Sequence, residues 1–269
     1  MPSTPPLRAI VTGASRGVGR GVAEALGEIG AHVAIAGRDA AALAQTAASV
    51  TSLGGRPLAL RCDLRDDAQS EALFALALRE LGGLDLLVNG AWGGYENMSE
   101  NGEFTWPRPF WQQPLWRWDA MLAAGVRAAY ACSRLAAPTL IAQGSGLIVN
   151  LSFWAAQKYL GNVAYGVAKA ATDRLSADCA HELRDHGVAV LSLYPGLVRT
   201  ERVMEAAAFL DLRNSESPRF TGRAVAALVR DPEVLRRSGS ALVAAQLARE
   251  YGFTDVDGKQ PRALTLDDV

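Results

Sequence analysis

Seven short apolar stretches punctuate the chain: RAIVT, HVAIAG, PLALRC, LDLLVN, GLIVNLS, VAVLSLY and SALVAA. Most are apolar throughout, not at alternate positions only, which suits strands buried on both faces. Between them, amphipathic Ala/Leu-rich segments run over roughly 18–29, 40–53, 66–81, 115–143, 162–185 and 222–230. Strands that alternate with helices predict βαβ units and a parallel sheet covered by helices on both sides. No composition break divides the first 200 residues and no internal repeat is visible. Residues 1–269 therefore read as a single α/β domain with a doubly wound sheet of about seven strands.

Two segments interrupt the rhythm. Residues 90–118 hold five of the six tryptophans (Trp92, Trp106, Trp111, Trp116, Trp118) and three prolines. Residues 199–221 are polar and charged, as a lid would be. Both leave a strand at its carboxyl end, the side of a doubly wound sheet where ligands bind. The rings either line a broad apolar pocket or pack the insertion onto the domain or another subunit. Trp92, next to a strand end, and Trp154 are the substrate-contact candidates.

Charge and composition narrow the partners. The formal net charge is −1, with 24 Arg against 3 Lys, so no basic field argues for nucleic acid or an anionic membrane. No apolar run approaches the roughly 20 residues needed to span a bilayer. The proline-broken start MPSTPPL lacks the apolar core of a signal peptide. A cytoplasmic protein is expected. Cys62, Cys132 and Cys179 are far apart and odd in number, and read as buried thiols. His32, His181 and His186 form no metal pair, so no metal site is expected.

The chemistry begins at the first strand. RAIVT runs into Gly13-Ala-Ser15-Arg16-Gly17-Val18-Gly19 and then a helix. A strand, a glycine turn and a helix N-terminus together form an anion site, with free N–H groups and the positive dipole end facing the ligand. The spacing is TGxxxGxG, not GxGxxG, and no Lys-Ser/Thr follows to make a Walker loop. At the end of the second strand an acid would favour the ribose hydroxyls of NAD, whereas arginine accommodates a 2′-phosphate. Here Gly37 stands where the acid is expected, followed by Arg38, while Asp39 reads as the N-cap of the next helix. With Arg16 in the loop, this favours NADP(H). Asp63, before Leu64 at the third strand end, either meets the adenine amino group or forms a turn.

GLIVNLS delivers Ser152 to a strand end, and thirteen residues later comes Tyr165-Gly-Val-Ala-Lys169. Tyr and Lys four apart share a helix face. An ammonium near a phenol favours the phenolate and lowers its pKa from about 10. Such a tyrosine exchanges a proton with a carbonyl or alcohol oxygen, which a neighbouring serine hydroxyl can orient. Nicotinamide would supply the hydride, which no side chain can do.

TGxxxGxG, the strand-end serine and YxxxK together resemble the short-chain dehydrogenase/reductase family over at least residues 7–200. The resemblance implies a Rossmann-type fold, NADP-dependent oxidoreduction, and a homodimer or homotetramer built on the helices at 115–143 and 162–186. It assigns Ser152, Tyr165 and Lys169 to catalysis. It also places Asp63 and Leu64 at the adenine, Asn89 at the sheet end, and Pro195, Val198 and Thr200 at the nicotinamide carboxamide, with Lys169 on the ribose. YGVAKAATDRLSADCAHELRDHGV, FWQQPLWRWD and LAREYGFTDVDG resemble one branch of the family more narrowly. That branch implies NADPH-dependent reduction of hydrophobic, including bulky, ketones.

Three departures stand against the pattern. The family's NNAG reads Asn89-Gly90-Ala91-Trp92, and Gly125 stands where the family carries a fourth, asparagine member of its catalytic set. The usual Ser-Ser reads Ser152-Phe153. Counting back from Tyr165 selects Ser152, whereas counting along the strand puts Phe153 at the serine position. These departures support an alternative: an NADP-binding protein of the same fold with little turnover and a regulatory or binding role.

Overall fold

The computed structural model describes residues 5–96, 98–100, 103–205 and 207–269; of Ser99, Glu100 and Phe209 it describes only the backbone. Seven strands make the main sheet: β1 (Arg8–Thr12), β2 (His32–Gly37), β3 (Arg56–Arg61), β4 (Leu86–Asn89), β5 (Gly146–Leu151), β6 (Val188–Tyr194) and β7 (Ala241–Val243). Their order is β7-β6-β5-β4-β1-β2-β3 and every pairing is parallel. The chain starts in the middle and winds outward both ways, so strand order reverses between β1 and β4.

Uniformly apolar strands are what this arrangement demands. In β1, Ala9 and Val11 enter one core layer while Ile10 enters the other. In β5, Leu147 and Val149 face one way and Ile148 the other. Because successive side chains point to opposite faces, a strand covered on both sides must be apolar at every position. The edge strand β3, RPLALR, is largely exposed or half-buried and correspondingly mixed.

The helices are α1 (Gly17–Glu28), α2 (Ala40–Ser52), α3 (Asp67–Leu81), α4 (Leu115–Met121), α5 (Ala128–Gln143), α6 (Val163–Leu183), α7 (Glu201–Glu205), α8 (Pro218–Leu228) and α9 (Ala244–Tyr251). Asp39 caps α2 by accepting from the Ala42 N–H at 3.0 Å, as its position implied. Ser217 caps α8 with Pro218 in the first turn, which starts this helix ahead of the apolar run that marks it in the sequence. The stretch expected as one helix over 115–143 is interrupted: between α4 and α5, Leu122–Arg127 is a π-helical turn containing Gly125. Such bulges interrupt a helix at functional sites more often than elsewhere. The run SALVAA divides into β7 and the start of α9, a helix its apolar residues do not announce.

The tryptophan-rich segment is organised around a charge. Arg117 on α4 is fully buried, donates to Thr105 Oγ1 at 2.9 Å, and lies over the rings of Trp106 (5.9 Å) and Trp116 (5.1 Å). Guanidinium groups tolerate burial when stacked and hydrogen-bonded in this way. Trp111 and Trp118, in contrast, stay exposed.

Candidate active site

A cleft of about 430 Å³ opens at the carboxyl ends of the strands, spanning the β1/β4 reversal. Its lining runs from Gly13, Ser15, Arg16, Gly17, Val18 and Gly19, past Arg38, Asp63 and Leu64, to Ser152, Tyr165 and Lys169. Pro195, Val198 and Thr200 complete the lining, with Thr200 beside Gly17 of the loop.

The glycine loop leaves β1 through Gly13 at φ 66°, a left-handed conformation that L side chains rarely adopt. A Cβ there would also sit 2.5 Å from the Gly90 carbonyl oxygen, so the loop and the β4 end can touch only through glycine. The Ala14 N–H donates to Ala36 O and the Thr46 hydroxyl donates to Ala14 O, each at 3.0 Å, tying the loop to β2 and α2. At the α1 N-terminus the Gly17 N–H donates to Glu201 Oε2 at 3.0 Å. A carboxylate from the 199–221 segment thus rests where dipole and free N–H groups favour an anion.

The second cluster of charges lies at the ends of β2 and β3. Arg38 is exposed and pairs with Glu96 at 3.3 Å. Asp63 is held by Arg65, whose hydrogen bonds bring its carboxyl down to about 2 despite opposing desolvation. Arg16 is exposed beside the loop.

At the inner end, Asn162 caps α6 by accepting from the Tyr165 N–H at 3.1 Å, and its amide donates to Trp106 O at 3.1 Å. One residue thereby fixes both the turn that carries Tyr165 and the aromatic wall beside it. Trp92, Trp106 and Tyr95 surround the Tyr165 ring with centroids 5.8, 5.6 and 6.1 Å away. One turn along α6, Lys169 Nζ donates to Leu151 O at 3.0 Å and sits 3.8 Å from the centre of the Trp92 ring.

The electrostatics here differ from the simple expectation of a lysine that acidifies a tyrosine. Burial pushes Tyr165 up to about 12, offset in part by a hydrogen bond from Tyr95. Burial also brings Lys169 down to about 7, with Asp173 opposing. The Lys169 cation faces the ring of Trp92 and lies 5.9 Å from the centre of the Tyr165 ring. Desolvation is the larger influence on both groups.

Of the other residues singled out by sequence, Ser152 lines the cleft but turns its hydroxyl into α6, whereas Asn89 and Trp154 lie outside the lining. Ser152 is 2% exposed, and its hydroxyl donates to the Lys169 backbone carbonyl at 3.4 Å, inside α6. Phe153, one residue on, joins the cleft wall. Asn89 is buried outside the lining: its amide donates to Asn150 Oδ1 at 2.8 Å and Ser133 Oγ at 3.1 Å, bracing the ends of β4 and β5 against α5. Trp154 packs edge-on against Tyr194, with centroids 5.2 Å apart, and is likewise outside the lining. Trp92 does line the cleft. Tyr95, Glu96 and Glu201 line it too, and the sequence reading passed over them. Their only signal was membership of the two irregular segments, where the tryptophans were more conspicuous.

Among the described residues no cluster of His, Cys, Asp or Glu could hold a metal, and no helix is long and apolar enough to cross a membrane.

Comparison with known proteins agrees with this architecture. A mouse protein, dehydrogenase/reductase SDR family member 1, is 43% identical over 264 residues, covering 93% of this chain and 83% of its own. Its human counterpart is 40% identical over the same length and shares. The 7alpha-hydroxysteroid dehydrogenase of Escherichia coli K12 is 30% identical, covering 72% of this chain and 71% of its own. Among solved structures, a 7alpha-hydroxysteroid dehydrogenase complexed with NADH and 7-oxo glycochenodeoxycholic acid superposes with a TM-score of 0.76, at 26% identity and 94% coverage of both chains. The short chain dehydrogenase family model matches residues 8–210. With that match, these relatives and the seven-stranded parallel sheet in hand, the chain belongs to the short-chain dehydrogenase/reductase family of oxidoreductases.

Proposed function

We propose that the protein is an NADPH-dependent carbonyl reductase for hydrophobic, bulky ketones, with Tyr165 as proton donor. One observation carries the reading: a single cleft joins the glycine loop at the α1 N-terminus to a half-buried Tyr165 and a buried Lys169, walled by aromatic rings. The Glu201 carboxylate resting on the Gly17 N–H supports the loop as an anion site. Gly13 to Gly19 would hold the pyrophosphate, Arg38 and Arg16 the 2′-phosphate, Asp63 and Leu64 the adenine, and Lys169 the ribose. Pro195, Val198 and Thr200 would frame the nicotinamide, which supplies hydride when bound.

The chain's own part is to bind, orient and move one proton. The Tyr165 hydroxyl donates to the substrate oxygen and transfers its proton as negative charge develops there. A cation on Lys169, favoured by the anionic surroundings of a bound dinucleotide, stabilises the phenolate left behind. Trp92 and Tyr95 exclude water and offer apolar surface to a hydrophobic ketone.

Cofactor preference tests the assignment. NADPH should support turnover better than NADH, and Arg38→Ala should narrow that preference about tenfold or more, the scale of one charge-assisted hydrogen bond. Equal use of NADH by the unaltered protein would overturn the NADPH assignment. Tight NADPH binding without turnover on any aromatic, steroidal or dicarbonyl ketone would instead favour a binding role.

Glu201 makes a separate prediction. A dinucleotide phosphate must displace its carboxylate from the Gly17 N–H, so Glu201→Gln should tighten NADPH binding about threefold, the scale of an exposed charge at a helix end. Fluorescence titration of bound NADPH measures this directly; weaker binding would show that Glu201 supports the site instead of competing for it.

A further inference from the structure

The arginine at the end of β2 already holds an anion. Arg38 Nη2 donates to Glu96 Oε1 at 3.3 Å, across 58 residues of chain, and both side chains line the cleft. The Arg61 Nε–H donates to Arg38 O at 3.2 Å, which steadies the backbone that carries the guanidinium. Two other carboxylates at this end are engaged elsewhere. Asp39 caps α2 through the Ala42 N–H at 3.0 Å, and Asp63 is gripped by Arg65. Glu96 is the acid that meets Arg38.

Its own turn puts it there. Gly94, at φ 94°, takes a left-handed conformation, and its N–H donates to Glu96 Oε2 at 2.7 Å. Between the two, the Tyr95 ring packs against Trp92 and Trp106, with centroids 5.9 and 5.4 Å away, and pins the turn to the inner wall. One carboxylate oxygen is thus tied down and the other is presented to Arg38. Against desolvation, the backbone N–H groups of the turn and the Arg38 guanidinium hold the carboxyl below the usual carboxylate range, so it is charged at neutral pH. The arrangement repeats at the glycine loop, where Glu201 Oε2 accepts from the Gly17 N–H at 3.0 Å. Each of the two irregular segments lends one carboxylate to one anion-binding point of the cleft.

We infer that Glu96 is a specificity-determining residue of this protein: its carboxylate occupies Arg38 in place of a 2′-phosphate and so restrains the preference for NADPH over NADH. The inference rests on the reading above that Arg38 receives the 2′-phosphate. Two anions beside one guanidinium repel each other, so the phosphate must displace Glu96, and NADPH binds more weakly than Arg38 alone would allow. NADH carries ribose hydroxyls there, donors that a carboxylate accepts, and leaves the pair unchallenged. Glu96 thus supplies, from the tryptophan-rich insertion, the acid that the end of β2 lacks at Gly37.

Binding, not turnover, tests this. Calorimetric titration of the full chain with NADPH and with NADH gives the ratio of their dissociation constants. Glu96→Gln keeps the shape of the side chain and should widen the ratio in favour of NADPH about threefold, the scale of one exposed ion pair. Glu201→Gln acts at the pyrophosphate that both cofactors carry, so it should tighten both and leave the ratio alone. In an Arg38→Ala background most of the Glu96→Gln gain should vanish, because the two residues act through their contact. An equal gain with and without Arg38 would make Glu96 a distant charge only and overturn the inference. So would an unmoved or narrowed ratio in Glu96→Gln beside the narrowing expected of Arg38→Ala. An unmoved ratio in Arg38→Ala, in contrast, defeats the underlying reading that this arginine receives the 2′-phosphate.

Discussion

Replacing Tyr165 with phenylalanine should lower NADPH-dependent ketone reduction by about 10³-fold or more, the upper part of the range for losing a positioned proton donor. The substitution removes one oxygen and leaves the ring among Trp92, Trp106 and Tyr95, so the aromatic wall has no reason to rearrange. NADPH affinity should hardly change, because the glycine loop, Arg38 and Lys169 are untouched. Loss of kcat with retained binding, measured by steady-state kinetics beside fluorescence titration, is the signature of an interaction made in the transition state. Wild-type turnover in Tyr165→Phe would remove Tyr165 from the mechanism.

The pH dependence follows from the same burial. Tyr165 is pushed up to about 12 by desolvation, so it holds its proton as a reductase needs well past neutrality. Lys169, brought down to about 7 by burial, changes ionisation near neutrality in the ligand-free protein, as does Glu216 behind Gly196 of the cleft wall, which burial raises to about 7. A group with a depressed cationic pKa loses its proton as pH rises through that value, so the cation that supports the Tyr165 phenolate is present on the acid side. Binding an anionic dinucleotide favours the charged form and shifts the loss to higher pH. Reduction should therefore weaken as pH climbs, and the weakening should begin later at saturating cofactor.

Local patterns were the legible part of this protein. The strand and helix segments are set by apolar runs and caps within a few residues, as Asp39 before α2 illustrates. The glycine loop and the Tyr165–Lys169 face are short-range features too, since both depend on spacing along one element. What could not be read was long-range contact and volume. Ser152 and Phe153 both line the cleft, and the turn of the Ser152 hydroxyl toward Lys169 O is a long-range contact that no local count decides. Asn89 was assigned by the family resemblance and Trp154 by its place after Ser152, whereas their partners Asn150 and Tyr194 come from other strands. The same holds for Glu201 on the Gly17 N–H, 184 residues away along the chain.

Gly125 is the clearest case, and it yields the second large effect. An ideal Cβ at Gly125 would lie 2.7 Å from Trp92 Cζ3 and 2.8 Å from Cε3, inside any real contact. The two departures from the family pattern are therefore coupled: the indole of Trp92 fills the space against the π-turn that any side chain at Gly125 would need. The same ring lies 3.8 Å from the Lys169 ammonium, so whatever moves Trp92 also unseats Lys169. Restoring the family residue alone, as Gly125→Asn, should destabilise the protein by about 1–3 kcal/mol through overpacking. It should also cut turnover, by displacing the face that holds Lys169. Trp92→Gly alone should lower stability by removing a large half-buried ring from its packing against Tyr95, Tyr165 and Lys169. The pair together should recover much of both losses, because each substitution removes the other's defect. Such a cycle, read by chemical denaturation and kcat, isolates the coupling between two residues in contact. Additive losses in the double variant would mean that Gly125 and Trp92 act independently.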